Sequence, residues 1–92
     1  MKIGAKKDGT ITAAKLWLAM EAGGFAGAPV GPAAMAVFAP YQIENFKVEA
    51  FDVLVNKPKV AAYRAPGAPQ SMHAMEVAVN ELAVKLNMDP ID

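Results

Sequence analysis

Apolar side chains recur at intervals of three and four residues near the end of the chain, at Met72, Met75, Val79, Leu82 and Leu86. This spacing places them on one face of a helix. Pro69 suits the first turn, where a helix needs no N–H from the chain. Asn87 suits the left-handed residue that commonly follows the last turn. The pattern therefore predicts a long helix over residues 69–88.

A stiff loop is predicted immediately before this helix, over residues 64–69. Its centre, Ala65-Pro66-Gly67-Ala68, has the residues of a type II turn. Proline presets φ at the second position, and glycine accepts the positive φ that the third position needs. Ala65 and Ala68 also precede prolines, which disfavours helical angles at both.

The start of the predicted helix lacks an obvious cap. Ala68, the expected cap, has no side-chain acceptor, so the backbone amides of Gln70 and Ser71 have no evident local partner. One hypothesis is a small anion-binding domain that uses these two amides. The simpler interpretation, which the spacing favours, is that water or the Gln70 and Ser71 side chains satisfy them.

The first part of the chain has the pattern of a β-hairpin, predicted over residues 1–21. Asp8-Gly9 separates two potential strands, which predicts a type I′ turn. One face of the second strand carries Leu16, Leu18 and Met20, and the other carries Ile11, Ala13, Trp17 and Ala19. Two apolar faces are typical of a strand that is covered on both sides, with Trp17 in the core.

Residues 22–46 combine a Gly- and Pro-rich loop with a short Ala-rich helix, predicted over residues 32–39. The glycines indicate a close backbone approach, but their spacing matches no phosphate-binding fingerprint, so a flexible connection is favoured over nucleotide binding. Alternating apolar residues then predict a strand within residues 47–63. This order indicates an α+β fold in which a small, mostly antiparallel sheet packs with one short and one long C-terminal helix.

The apolar content is high for so short a chain. The 92 residues are 54% apolar, against roughly 45–50% in an ordinary domain. Val77 and Val84 lie away from the apolar stripe of the long helix, so that helix has a second face to cover. We therefore expect either a piece of a larger domain or a chain that self-associates. The second alternative is a stand-alone interaction or oligomerisation module without enzymatic activity.

Charge and residue usage argue against several classes of function. The net charge is zero and the basic residues are scattered, which disfavours a nucleic-acid surface. There is no cysteine, and a single histidine, His73, cannot form a protein-only zinc site. His73 is predicted at the surface, and Ser71, the only serine, has no neighbouring base that would make it a nucleophile. No signal peptide or membrane span is evident, so we expect no membrane partner and a cytoplasmic setting.

Seven segments carry a family resemblance: residues 7–13, 21–27, 40–48, 56–58, 62–70, 80–83 and 86–90. The most specific is Tyr63-Arg64-Ala65-Pro66-Gly67-Ala68-Pro69-Gln70. In these segments the chain resembles the molybdenum-cofactor-binding (large) subunit of the xanthine dehydrogenase and aldehyde oxidase family. The resemblance covers nearly the whole chain and implies that residues 1–92 are a single fragment of a larger molybdopterin-binding domain.

The resemblance implies an enzyme that hydroxylates an aldehyde or an aromatic heterocycle with water as the oxygen source. A pterin dithiolene, which can be in the cytosine dinucleotide form, holds the molybdenum, so no protein metal ligand is expected. Iron–sulfur clusters and FAD would lie on partner domains or subunits, beside the rest of the molybdenum-binding subunit. The resemblance places Arg64, Ala65 and Gly67 at the cofactor and Pro66 at the edge of the substrate pocket. Backbone donors on a rigid loop suit that role.

Departures from the family pattern narrow this expectation. Some members carry glycine and an aromatic residue where this chain has Ala65 and Pro66, so an aromatic wall is absent there. Purine-oxidising members place an arginine in the short helix; residues 32–39 have none, which argues against xanthine as the substrate. The family's catalytic glutamate is expected far beyond these residues. We therefore expect no catalytic residue in this chain, and neither bound molybdenum nor turnover from the chain alone.

Overall fold

The computed structural model describes residues 1–91, which form a three-stranded sheet with two helices. The elements are, in order, β1 (Lys2–Ala5), β2 (Ile11–Gly23), α1 (Val30–Ala36), β3 (Asn45–Leu54) and α2 (Ala68–Leu86). β2 lies in the centre of the sheet, with β1 antiparallel on one side and β3 parallel on the other. The α+β class, the N-terminal hairpin, the short helix and the long helix are confirmed.

The direction of β3 corrects one detail of the prediction. The sheet is mixed rather than mostly antiparallel, because the longer ladder, between β2 and β3, is parallel. A parallel pair needs a crossover connection, which the segment containing α1 supplies. The predicted strand within residues 47–63 ends at Leu54, because the N–H of Lys57 turns back to the Val55 carbonyl at 2.8 Å.

The hairpin turn also differs from the prediction. The Lys6 carbonyl accepts the Gly9 N–H at 3.1 Å, so Lys7 and Asp8 are the corner residues. A type I′ turn needs positive φ at both corner residues, but in this turn only Gly9 has it, at 89°. Asp8 Oδ1 accepts the Thr10 N–H at 3.0 Å, and this bond holds the pKa of the Asp8 carboxyl below its ordinary value.

The helices cover one face of the sheet. The core contains Ala14, Leu16, Val37, Phe38 and Met75. Met75 is fully buried, as expected for the apolar stripe of α2. α2 ends as predicted, because Asn87 is left-handed with φ of 55° and Met88 donates its N–H to the Ala83 carbonyl at 3.0 Å.

The short helix lies slightly earlier than the predicted residues 32–39. Its first turn is closed by the Ala33 N–H and the Pro29 carbonyl at 3.2 Å, so α1 starts directly after Pro29. At its end the Ala39 N–H donates to the Ala36 carbonyl at 3.1 Å, a tighter turn that ends the α spacing before Pro40. Within residues 1–91, neither helix is long and apolar enough to cross a lipid bilayer.

Gly23 is where the predicted close backbone approach occurs. Its φ is 80°, and a Cβ added there would overlap the Pro58 carbonyl oxygen. Two hydrogen bonds hold the same approach: Val55 donates to the Gly23 carbonyl at 3.0 Å, and Gly24 donates to the Lys57 carbonyl at 2.9 Å. The chain after β3 is thereby fixed along the end of β2 before it continues towards α2.

The second face of the sheet is open, which corrects the prediction that β2 is covered on both sides. Trp17, predicted in the core, is 60% exposed and rests against Phe51 with ring centroids 5.7 Å apart. Apolar residues on both faces of β2 indicate a strand that is buried on both sides, whereas residues 1–91 contain a covering layer for one face only.

A hydrogen bond between Tyr41 and Glu76 ties the segment before β3 to α2. The phenol donates to Glu76 Oε1 at 2.6 Å. Burial of the phenol, assisted by this carboxylate, raises the pKa of Tyr41 to about 12, from an ordinary value of 10.0. The fold therefore favours the neutral phenol. The stability that the neutral Tyr41 phenol contributes is fully present below pH 10 and is lost as the pH rises through about 12.

We expect Tyr41→Phe to lower the free energy of unfolding by about 1 kcal/mol at pH 7, because Glu76 loses its donor. Urea unfolding of the purified chain measures this, and the difference from the unsubstituted chain should shrink towards pH 12. Tyr63→Phe is the matched control, since Tyr63 is 90% exposed. Equal effects of the two substitutions would contradict the prediction.

Candidate functional site

The loop that joins the end of β3 to the start of α2 contains the most unusual backbone in the structure. Arg64 and Ala65 are exposed and adopt positive φ of 29° and 52°. L-residues with side chains avoid this region at a cost of roughly 1–2 kcal/mol each. Strain of this kind clusters at binding and catalytic sites, so this loop is the first candidate for function.

The turn predicted at the end of this loop is confirmed. The Ala68 N–H donates to the Ala65 carbonyl at 3.2 Å, and Gly67 has φ of 83°. Pro66 occupies the second position of the turn and is half-buried. The turn therefore fixes where Arg64 and Ala65 emerge at the surface.

Gly67 packs the loop against the start of α1. It is buried, and a Cβ added there would overlap the Pro29 carbonyl oxygen and lie 3.0 Å from the Ala33 nitrogen. Ala33 is itself fully buried. The contact thus joins the backbones of two segments that each lead into a helix. Gly67, predicted as a cofactor contact, has an immediate structural role towards the protein interior.

Asp52 links this contact to the sheet, and the sequence analysis assigned this residue no role. Its carboxylate oxygens accept the N–H groups of Gly27 at 2.7 Å and Ala28 at 3.2 Å. These two residues lead directly into Pro29, whose carbonyl meets Gly67. The available signal is a carboxylate on an otherwise apolar strand face, placed to partner the amides of a glycine-rich loop.

The hypothesis of an anion site on the Gln70 and Ser71 amides loses one of its two donors. The Ser71 N–H donates to the Gly67 carbonyl at 3.2 Å, as an ordinary bond of the first helical turn. The Ser71 hydroxyl donates to the Ala68 carbonyl at 3.2 Å, and the residue is buried. The amide of Ser71 is therefore satisfied by the chain itself.

The exposed part of the loop is cationic. Arg64 presents a guanidinium at the surface, and no salt bridge within residues 1–91 includes it. A guanidinium beside backbone N–H groups suits an anionic ligand such as phosphate or carboxylate. In the described part of the chain, no three His, Cys, Asp or Glu side chains come together as a metal site. His73 is exposed, as predicted.

Comparison with known proteins shows the family of this chain. The sequence matches the family described as "Molybdopterin cofactor-binding domain" over residues 1–92. The chain belongs to this family. It is 36% identical over 94 residues to the nicotinate dehydrogenase large molybdopterin subunit of Eubacterium barkeri, covering 99% of this chain and 22% of that protein. It is 37% identical over 95 residues to the aldehyde oxidoreductase of Megalodesulfovibrio gigas, covering 100% of this chain and 10% of that protein.

The chain therefore spans about a fifth of one relative and a tenth of the other. It is homologous to a segment of these molybdenum hydroxylases, and it is related to the xanthine dehydrogenase family as sequence reasoning had indicated. The exposed guanidinium of Arg64 is chemically compatible with an anionic cofactor such as a molybdopterin.

We expect Gly67→Ala to destabilise the chain by about 2–4 kcal/mol, since it combines left-handed strain with a backbone clash. Thermal unfolding measures the loss. Gly31→Ala is the matched control, because a Cβ at Gly31 meets nothing within 4 Å. Gly31 lies in α1, so alanine there should be neutral or stabilising by up to about 1 kcal/mol. Similar melting temperatures for the two variants would refute the tight contact.

Proposed function

We propose that this chain is the part of a molybdenum hydroxylase large subunit that supplies the loop of residues 64–67 to the cofactor site. The family match over the whole chain supports the first half of the proposal. One observation carries the second half: Arg64 and Ala65 are held exposed, in left-handed conformations, on a support that is buried at Gly67. A loop built only to connect two elements does not need this strain.

In this proposal each residue of the loop has its own task. The Arg64 guanidinium binds and orients an anionic group of the molybdopterin, and the Ala65 backbone lies beside it. Gly67 holds the loop against α1, and the main chain of Gly67 lies near the cofactor. Pro66, half-buried at the corner of the turn, borders the substrate pocket. When bound, the molybdenum cofactor supplies the redox chemistry that hydroxylates a substrate with oxygen from water.

The proposed substrate is an aldehyde or an aromatic heterocycle, in line with the two relatives, whose names specify nicotinate and aldehyde. Iron–sulfur clusters and FAD are assigned to partner domains or subunits. The chain has no cysteine, and protein-bound iron–sulfur clusters are held mainly by cysteine thiolates. The rest of the large subunit is then the principal partner of this chain.

Substitution of Arg64 in the complete large subunit tests the proposal. We expect Arg64→Ala to lower kcat/KM per bound molybdenum by about 10- to 100-fold, because a charge-assisted contact to the cofactor is lost. Turnover is followed with nicotinate and with an aldehyde, and molybdenum is counted by metal analysis. Arg64→Lys should recover part of the loss, since it keeps the charge without the bidentate geometry.

Lys7→Ala is the control, because Lys7 is an exposed residue of the hairpin turn. It should leave both molybdenum content and turnover unchanged. The proposed role of the loop is wrong if Arg64→Ala keeps molybdenum content and turnover within twofold of the unsubstituted subunit.

The isolated chain of 92 residues should contain no stoichiometric molybdenum and show no turnover, because the loop is only one wall of the proposed site. Metal analysis of the purified chain, with the complete subunit as the positive control, measures this. One molybdenum per isolated chain would show that these residues hold the cofactor by themselves.

A further inference from the structure

The second face of the sheet, opposite the helices, has an apolar centre. Trp17 and Ala19 on β2 and Phe51 and Val53 on β3 form this open face. Trp17 is 60% exposed, Phe51 48% and Val53 38%. Trp17 and Phe51 already contact each other, with ring centroids 5.7 Å apart, so they present one continuous apolar surface.

Ion pairs lie beside this apolar centre, with Glu49 opposite Trp17 and Glu21 opposite Val53 in the ladder. At the end where the two strands begin, Glu49 binds Lys15 at 2.7 Å and Lys47 at 2.9 Å. The hydrogen bonds from Lys15 and then Lys47 hold the pKa of the Glu49 carboxyl below its ordinary value. At the other end Lys57 pairs with Glu21. The charges beside the apolar centre are thus matched within the chain, and this anatomy is that of an interface core with a polar rim.

Strand direction also bears on whether this face is covered. The longer ladder of this mixed sheet, between β2 and β3, is parallel, and crossover connections between parallel strands typically place helices on the faces of a sheet. In this structure the helices cover the face that carries Leu16 and Val48, and leave the face of Trp17 and Phe51 to solvent.

The overall dimensions are larger than those of a compact domain of this length. The radius of gyration is 15.0 Å, whereas a compact domain of this length has about 12 Å. The accessible surface is 6495 Å², about 1,400 Å² more than a folded monomer of this mass exposes. A standard interface buries about 800 Å² per partner, so the excess of the whole chain, to which Met35, Phe46 and Val84 outside the open face also contribute, is large enough to include one interface.

We infer that the open face is an internal interface of the molybdenum-binding subunit, covered by another segment of that same subunit with Trp17 as its central anchor. This inference rests on the proposed function for the identity of the subunit. The occupant follows from length, because 78–90% of each relative lies outside the region that matches this chain, which covers 22% and 10% of them. A covering segment in the same polypeptide also has a high effective concentration.

Hydroxyl-radical footprinting of the complete subunit tests the inference, read as oxidation of Trp17 and Phe51 by peptide mass spectrometry. We expect both side chains to react at least tenfold more slowly in the native subunit than in the same subunit unfolded in urea. An open face predicts a Trp17 rate within about twofold of the unfolded value, since the chain by itself leaves 60% of that side chain exposed.

Three results would overturn the inference. Trp17 could react at the unfolded rate at every concentration, or be protected only where light scattering shows dimers, which would make a second copy the occupant. Protection that appears only after a separate iron–sulfur or flavin subunit is added would place the interface between subunits.

Trp17→Ala in the complete subunit should lower the melting temperature and raise the oxidation of Phe51, and Trp17→Phe should restore most of both. The control Lys7→Ala should change neither. This readout is independent of molybdenum content and turnover. If Arg64→Ala has no effect while Trp17 is protected, the loop proposal fails and the interface stands.

Discussion

The buried contact between Gly67 and the start of α1 is the constraint on which the candidate site depends. Residue 67 needs a left-handed φ of 83°, and the space where a side chain would begin is filled by the Pro29 carbonyl. Asp52 extends the support by binding the two amides that precede Pro29. Apart from the Asp52 carboxylate, the contacts in this series are made by backbone atoms, so the loop is placed without help from its own side chains.

This arrangement couples the exposed loop to the stability of the fold. Asp52 belongs to β3, and Gly67 leads into α2, whose Met75 is fully buried in the core. Two strained residues, Arg64 and Ala65, stand on this support. Small domains have thin stability margins. The contacts of the core and of Gly67 must therefore offset the strain at Arg64 and Ala65. A substitution that weakens either set of contacts would alter the conformation of the exposed loop.

Local rules predicted the parts of the fold that depend on neighbouring residues. Proline and glycine in succession predicted the turn at residues 65–68, and Asn87 predicted the end of α2. The parallel pairing of β3 was not predictable in this way, because it depends on how α1 crosses the sheet. The left-handed φ of Arg64 was equally hidden, since residues with side chains disfavour it. The packing of Gly67 against α1 was also hidden, because sequence cannot distinguish a glycine that approaches a cofactor from one that approaches another helix.

The chain presents two exposed surfaces whose chemistry differs, and the difference separates their roles. The open face is apolar at its centre and its flanking charges are paired, so it is complementary to another protein layer. The loop at Arg64 is polar and cationic, so it is complementary to an anion. An apolar layer over the loop would bury the Arg64 guanidinium without a hydrogen-bond partner. An anion on the open face would make no polar contact with Trp17 and Phe51. We therefore propose that one surface serves assembly and the other serves binding, and the sheet and the Gly67 contact connect the two within the fold.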